Sequence, residues 1–418
     1  MVTPRTVAPA AADVERARLA ASAAIESARD DLVELSRYIH QHPEPAMKET
    51  LSSAACADFL ERNGFTVERG TADLPTAFTA TAGTPGGRRI GFLAEYDALP
   101  GLGHGCGHNL IAMANIAAGL GLRAGLAELG QPGQVVVFGT PAEEAISGKA
   151  FMVDAGAFDD VDVAMGAHPG PPDAVCPTVE GSGQALACQA VRIEYRGQSA
   201  HAAADPYNGI NALNAIIEVF NGINALRQHV RSDARFHGVI TDGGHVPNVV
   251  PDFAAADFFV RAQTMVYMNE LVEKVRRIAE GAALITGAEL SFDTSEKPSW
   301  DMITNHTLAR AMKRNIDAVG LELPEARAQE GNGSTDWGNV SYVVPSVETS
   351  YPIIDRMCTW HSQDVVDASD SELGYANTLL IGQALAMTGV DIVTDDHLLA
   401  TIRAEFDASR ATGPVRTQ

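Results

Sequence analysis

The chain has 418 residues, enough for two or three domains, and its 46% hydrophobic and 20% charged residues argue against extended disorder. Thirty Lys and Arg against 53 Asp and Glu leave a formal charge of -23, which repels nucleic-acid phosphates and anionic membrane surfaces. No run of about 18 apolar residues marks a membrane span. Five Cys at wide, irregular spacing give no disulfide framework, so a reducing cytoplasm is the expected location.

The first twenty residues are Ala-rich but carry Asp13 and Glu15 where a secretory signal needs an apolar stretch. Asp13 to His40 reads as one long amphipathic helix stopped by His42-Pro43. A second helix from Ser52 to Arg62 ends at Asn63-Gly64, before a short strand at Phe65 to Val67. Three apolar runs follow, at Arg89 to Ala94, Gln134 to Gly139 and Val161 to Ala167, with helices from Asn109 to Glu128 and Lys149 to Asp154 between them. Strands alternating with helices predict a mostly parallel sheet with active groups beyond the strand ends.

From Ala187 the texture becomes strand (Ala187 to Tyr195), helix (Asn208 to Gln228), two strands (Phe236 to Thr241, Phe253 to Ala262), helix (Asn269 to Thr286) and strand (Leu290 to Asp293). That β-α-β-β-α-β order predicts an inserted, ferredoxin-like α+β domain over residues 187–298. Residues 1–186 and 299–418 are then two parts of one α/β domain, the second with helices at Leu308 to Val319 and Ser371 to Met387.

Polar clusters follow the apolar runs. Gly103-His104-Gly105-Cys106-Gly107-His108-Asn109 places a thiol and an imidazole in a glycine-permissive loop before a helix, where the helix N-terminus should favour the thiolate. Alone, that pair reads equally well as a buried cysteine beside a capping loop. Pro141-Ala142-Glu143-Glu144 puts adjacent carboxylates at a strand end, one able to bind a metal and the other to face a water; in isolation it is a solvated acidic turn. His168 ends the third run, and His361 lies in irregular sequence. Taken together, these groups supply thiolate, imidazole and carboxylate donors for one or two Zn- or Mn-like ions at one sheet edge.

Ala94-Glu95-Tyr96-Asp97-Ala98-Leu99-Pro100-Gly101, the Cys106 block, Pro141 to Glu144, Gly197 to Ala202, His245 to Pro251 and Gly333 to Asp336 stand in the order seen in the M20 metallopeptidase family. The chain resembles its aminoacylase-like amidohydrolase branch, whose catalytic domain is zinc-peptidase-like. The resemblance implies that Cys106, His108, Glu144, His168 and His361 bind two metal ions, with Cys106 bridging them, Glu143 as general base and Asp97 orienting a ligand. It makes the insertion a lid and homodimerisation domain, in which His201 donates to the oxyanion and Asn248 contacts substrate, in the active site of the same subunit or of its partner; read without the resemblance, His201 is equally a loop-surface histidine. Arg261, at the end of a strand, is a candidate for the substrate carboxylate, although a surface salt bridge explains it equally well. Gly333 and Ser334 are further substrate-binding candidates. Asn109 stands where many members of the wider branch have Asp, a mark of the subgroup resembling dipeptidases for basic C-terminal residues and aminobenzoyl-glutamate hydrolases.

The expected activity is hydrolysis of the amide bond in a small N-acyl amino acid or dipeptide. Alternatives are a carbamoyl-amide or acyl-conjugate hydrolase, a non-catalytic metal-binding homologue, and a cysteine-nucleophile amidase using Cys106 and His108.

Overall fold

The structure, a computed structural model, describes residues 9–328 and 333–412. The opening eight residues of the stretch read as lacking a secretory signal lie outside the described residues. In chain order the elements begin with α1 (Ala11–Ser27), α2 (Arg29–Gln41), α3 (Thr50–Arg62), β1 (Thr66–Arg69), β2 (Phe78–Thr84) and β3 (Arg88–Ala94). Then come α4 (His108–Leu129), β4 (Gly133–Gly139), α5 (Glu143–Ile146), α6 (Gly148–Asp154) and β5 (Val163–Gly170). A second group is β6 (Ala187–Arg196), α7 (Ala212–Leu226), β7 (Arg235–Asp242), β8 (Phe253–Ala262), α8 (Met265–Thr286) and β9 (Glu289–Asp293). The chain closes with α9 (His306–Ala318), α10 (Trp337–Ser341), β10 (Ser346–Pro352), α11 (Gln363–Ala368), α12 (Glu372–Thr394) and α13 (Asp396–Thr412).

The chain forms two compact units. One comprises residues up to Gln184, those from Met302 to 328, and those from Asn339 onward; the other is Ala185–Asp301 with residues 333–338. Residues 333–338, which by texture belong to the C-terminal stretch, pack with the second unit, where the Leu186 amide donates to the Gly333 carbonyl at 2.7 Å.

The first unit is built on a six-stranded sheet of order β1-β2-β4-β3-β5-β10. The β4-β3, β3-β5 and β5-β10 pairs are parallel, while β1-β2 and β2-β4 are antiparallel. The central strands β3, β4 and β5 are apolar on both faces, as a sheet covered on both sides requires. Helices α4 and α12 fill the core beside them, and both are long and apolar enough to cross a membrane by length and composition. Small and polar residues interrupt both sequences, and most of each helix is buried inside this unit.

Three local expectations change. The long N-terminal helix is two, broken at Ala28 (φ -99, ψ 6), so α1 and α2 bury separate apolar sets, Ala17, Ala21 and Ile25 against Leu32, Leu35 and Ile39. Strand β2 was not foreseen; its FTATAGT sequence carries little apolar bulk and depends on pairing with β1 and β4. Strand β10 was also missed, since SVETSYP alternates polar with apolar residues and is set by its parallel register on β5.

The second unit is a four-stranded antiparallel sheet of order β7-β8-β6-β9, with α7 and α8 packed on the alternating buried positions of β6 and β8. This is the expected β-α-β-β-α-β, ferredoxin-like arrangement. Asn211 caps α7 and Thr264 caps α8, so both helices start on a side-chain acceptor as their N-terminal amides require.

Candidate active site

The parallel strands of the first unit deliver their polar residues to one edge of the sheet. Strand β3 ends at Ala94, just before Glu95 and Asp97; β4 leads into Glu143 and Glu144; β5 carries His168; and β10 precedes the loop with His361. Cys106 and His108 sit at the start of α4, on a turn that needs glycine. Gly107 has φ +81, and a Cβ there would come within 2.9 Å of Pro169, the neighbour of His168.

These side chains converge. Cys106 Sγ, a His108 nitrogen and a His168 nitrogen lie within 4.8 Å of one another; so do donors of Cys106, Glu144 and His361, and those of His108, Glu143 and Glu144. Cys106 Sγ is 3.5 Å from His168 Nε2, and Glu144 Oε1 is 3.7 Å from both His108 Nε2 and His361 Nε2. Each ring is aimed by its other nitrogen or by its backbone. His108 Nδ1 donates to Asp97 Oδ1 at 2.9 Å, His168 Nδ1 donates to the Pro169 carbonyl at 2.7 Å, and His361 takes a left-handed φ of 59 while its amide donates to the Gly105 carbonyl.

The donor set fits divalent metal ions. His108 Nε2 and Glu144 Oε1 are buried without a hydrogen-bond partner, which costs free energy unless a cation accepts their lone pairs. Sulfur, imidazole and carboxylate donors together form a ligand set for divalent cations.

Burial and neighbouring charges compete at this site. Burial would raise the Asp97 carboxyl, but the His108 ring and the Glu144 amide more than reverse this and hold Asp97 below its usual range. Burial would likewise lower His108, yet Asp97 holds that ring well above the usual imidazole range. His168 is pushed down to about 4, first by burial and then by His108. Burial pushes the Cys106 thiol up to about 12, against the opposing effect of the His108 ring. Only a cation bound at the sulfur would reverse that balance.

Two neighbours were not foreseen. Glu95 and Lys149 are both buried and form an ion pair at 2.7 Å, with the other Glu95 oxygen 3.5 Å from His108 Nε2. Glu95 marked a strand end, but no sequence signal predicted that Lys149, on α6, would be buried against it.

The remaining predicted residues lie in the second unit. His201 is exposed; its Nδ1 accepts from the Ala203 and Ala204 amides, and Val249 bridges to it while the Asn248 carbonyl accepts from the Ala202 amide at 3.0 Å. Arg261 donates to Ser334 Oγ at 2.9 Å, so those two candidates do meet, and its Nε is buried without a partner.

A mostly parallel sheet gathers sulfur, nitrogen and oxygen donors for a metal at its edge, and the chain carries a ferredoxin-like second unit. Residues 91–369 match peptidase family M20/M25/M40, and the chain belongs to that family. It is 36% identical to the Xaa-Arg dipeptidase of Mus musculus over 95% of this chain and 93% of the relative. It is 31% identical to one of the p-aminobenzoyl-glutamate hydrolase polypeptides of Escherichia coli strain K12, over 94% of this chain and 95% of the relative. Among solved structures, a Bacillus subtilis dinuclear metal-binding peptidase of the M20 family shares the fold, with TM-score 0.66 and 20% identity over 88% of this chain and 99% of that one. These similarities make the chain a hydrolytic enzyme.

Proposed function

We propose that this enzyme hydrolyses the amide bond of a dipeptide or N-acyl amino acid, and within that class favours a dipeptide with a basic C-terminal residue. The observation that carries this reading is the membership of Cys106 in two donor groups, one with His108 and His168 and one with Glu144 and His361, beside Glu143. Near full-length similarity to an Xaa-Arg dipeptidase supports the narrower substrate. A formal charge of -23 suits a cationic one.

Cys106, His108, Glu144, His168 and His361 would hold two divalent ions, Zn or Mn, which when bound supply Lewis acidity and lower the pKa of a water at the site. Glu143 takes the proton of the attacking water and delivers it to the amine nitrogen as the C–N bond breaks. Asp97 fixes the His108 ring. His201, with Nδ1 accepting from the Ala203 and Ala204 amides, offers Nε2–H as a hydrogen-bond donor to the carbonyl oxygen that gains charge. Asn248 contacts substrate polar groups, and Arg261 with Ser334 and Gly333 binds the substrate carboxylate.

The second unit serves as lid and homodimer surface. Strand β7 is a sheet edge with Val239 62% and Ile240 45% exposed, and an edge of that kind favours pairing with another chain. Five unpaired cysteines suit a cytoplasmic location.

Similarity to a p-aminobenzoyl-glutamate hydrolase polypeptide favours a second reading, a substrate ending in glutamate. Turnover of metal-loaded enzyme on dipeptides ending in Arg or Lys, on N-acyl amino acids and on aminobenzoyl-glutamate separates the two. Fastest turnover on the basic dipeptides supports the first reading, and preference for the glutamate conjugate selects the second. No turnover on any of them, with metal confirmed in the protein, contradicts both.

A further inference from the structure

Glu49 is completely buried although nothing in its sequence setting calls for it. It occupies the N-cap position of α3, yet its side chain makes no capping bond; the Leu51 and Ser52 amides of that helix donate to Glu44. Its oxygens are used elsewhere. Oε1 accepts from the Met47 amide and from the Ala142 amide, both at 2.9 Å, and Oε2 accepts from Thr76 Oγ1 at 3.0 Å.

Ala142 is the residue before Glu143, fully buried and held at φ 64, ψ 35. A non-glycine side chain in that left-handed region is strained and persists only where its surroundings hold it. Ser147, at φ 59, closes the same turn with a second such residue. Between them α5 has four residues, too few to hold a helical shape on its own. The backbone is fixed from outside at two amides: Ala142 N–H donates to Glu49, and Glu144 N–H donates to Asp97 Oδ2 at 2.9 Å. Glu143 lies between those anchors.

We propose that Glu49 is a positioning residue whose buried carboxylate pins Ala142 in its left-handed conformation and thereby aims Glu143 and Glu144 at the metal site. The inference rests on the roles given above to those two glutamates. Shape, and not only charge, is what Glu49 supplies. An acceptor of the same reach should replace it, whereas a shorter side chain should not.

Zinc binding by the full-length, metal-stripped chain tests this without any substrate, using calorimetric titration of wild type, Glu49→Ala, Glu49→Gln and Glu49→Asp. Glu49→Ala and Glu49→Asp should weaken one zinc equivalent about ten- to hundred-fold, as loss of an outer support does, while Glu49→Gln stays within about three-fold of wild type. Adding Ala142→Gly to Glu49→Ala should recover part of the loss, because glycine adopts the left-handed region without strain. If Glu49→Ala does not fold, the Asp and Gln variants carry the comparison. Wild-type affinity in a folded Ala or Asp variant, an equal loss in the Gln variant, or no recovery with glycine would overturn the proposal. A wild type that binds two zinc ions but hydrolyses nothing would sink the hydrolase reading and leave this one standing; a wild type that binds none contradicts both.

Discussion

Asp97 holds the His108 ring through a 2.9 Å hydrogen bond to Nδ1, and its second oxygen accepts the Glu144 amide at the same distance. One carboxylate thus orients two ligand candidates that come from different elements, α4 and α5. Replacing it with Ala should free the ring and the turn together, lowering metal affinity and kcat about ten- to hundred-fold. Metal content after dialysis, read beside kcat, checks this, and unchanged values for both would reduce Asp97 to a packing role.

Asn109 has a physical reason to be an amide. Its Nδ2 donates to Ser36 Oγ at 2.9 Å and to the Ser369 carbonyl at 2.8 Å, tying the first turn of α4 to α2 and to the residue after α11. A carboxylate cannot donate to that carbonyl and would face it as a like partial charge. Asn109→Asp should therefore cost about 1–3 kcal/mol, the range for a buried group left without its partner. Urea unfolding of the variant beside wild type measures it; equal midpoints would show that the site adapts.

His104 sets an acid limit on stability. Its Nε2 donates to the Ile39 carbonyl, its Nδ1 is buried without a partner, and burial, helped by His108, pushes its pKa down to about 3. The folded pKa lies below the unfolded value of about 6.5, so the unfolded chain takes up the proton first. The stabilisation from a neutral ring is complete above pH 6.5 and is lost as pH falls towards 3. Through that window wild type should lose up to about 1.4 kcal/mol more per pH unit than His104→Gln. Urea titrations at several pH values compare the slopes, and parallel slopes would reject the assignment.

The base can be isolated from the ligands. Glu143→Ala should lower kcat about 10²–10⁴-fold while both metal equivalents stay bound. Loss of metal with the activity would make Glu143 a ligand, and retained activity would move the base elsewhere.

Much of this architecture was legible because it rests on periodicity. The runs at β3, β4 and β5 are continuous and apolar, and Cys106, Glu143, Glu144 and His168 follow them closely in sequence. His361 was reachable only through family resemblance, since it follows β10, a strand whose mixed polarity hides it. Glu49, Glu95 and Lys149 were out of reach for a different reason. Charged residues are ordinarily solvated, and their burial depends on partners such as the Ala142 amide, 93 residues from Glu49 in the chain.

Two divalent ions would be held by Cys106, His108, Glu144, His168 and His361, and anomalous X-ray scattering from crystals of the zinc-loaded chain tests this most directly. Two peaks should lie among these five side chains. A single peak, or peaks remote from these five residues, would contradict the account.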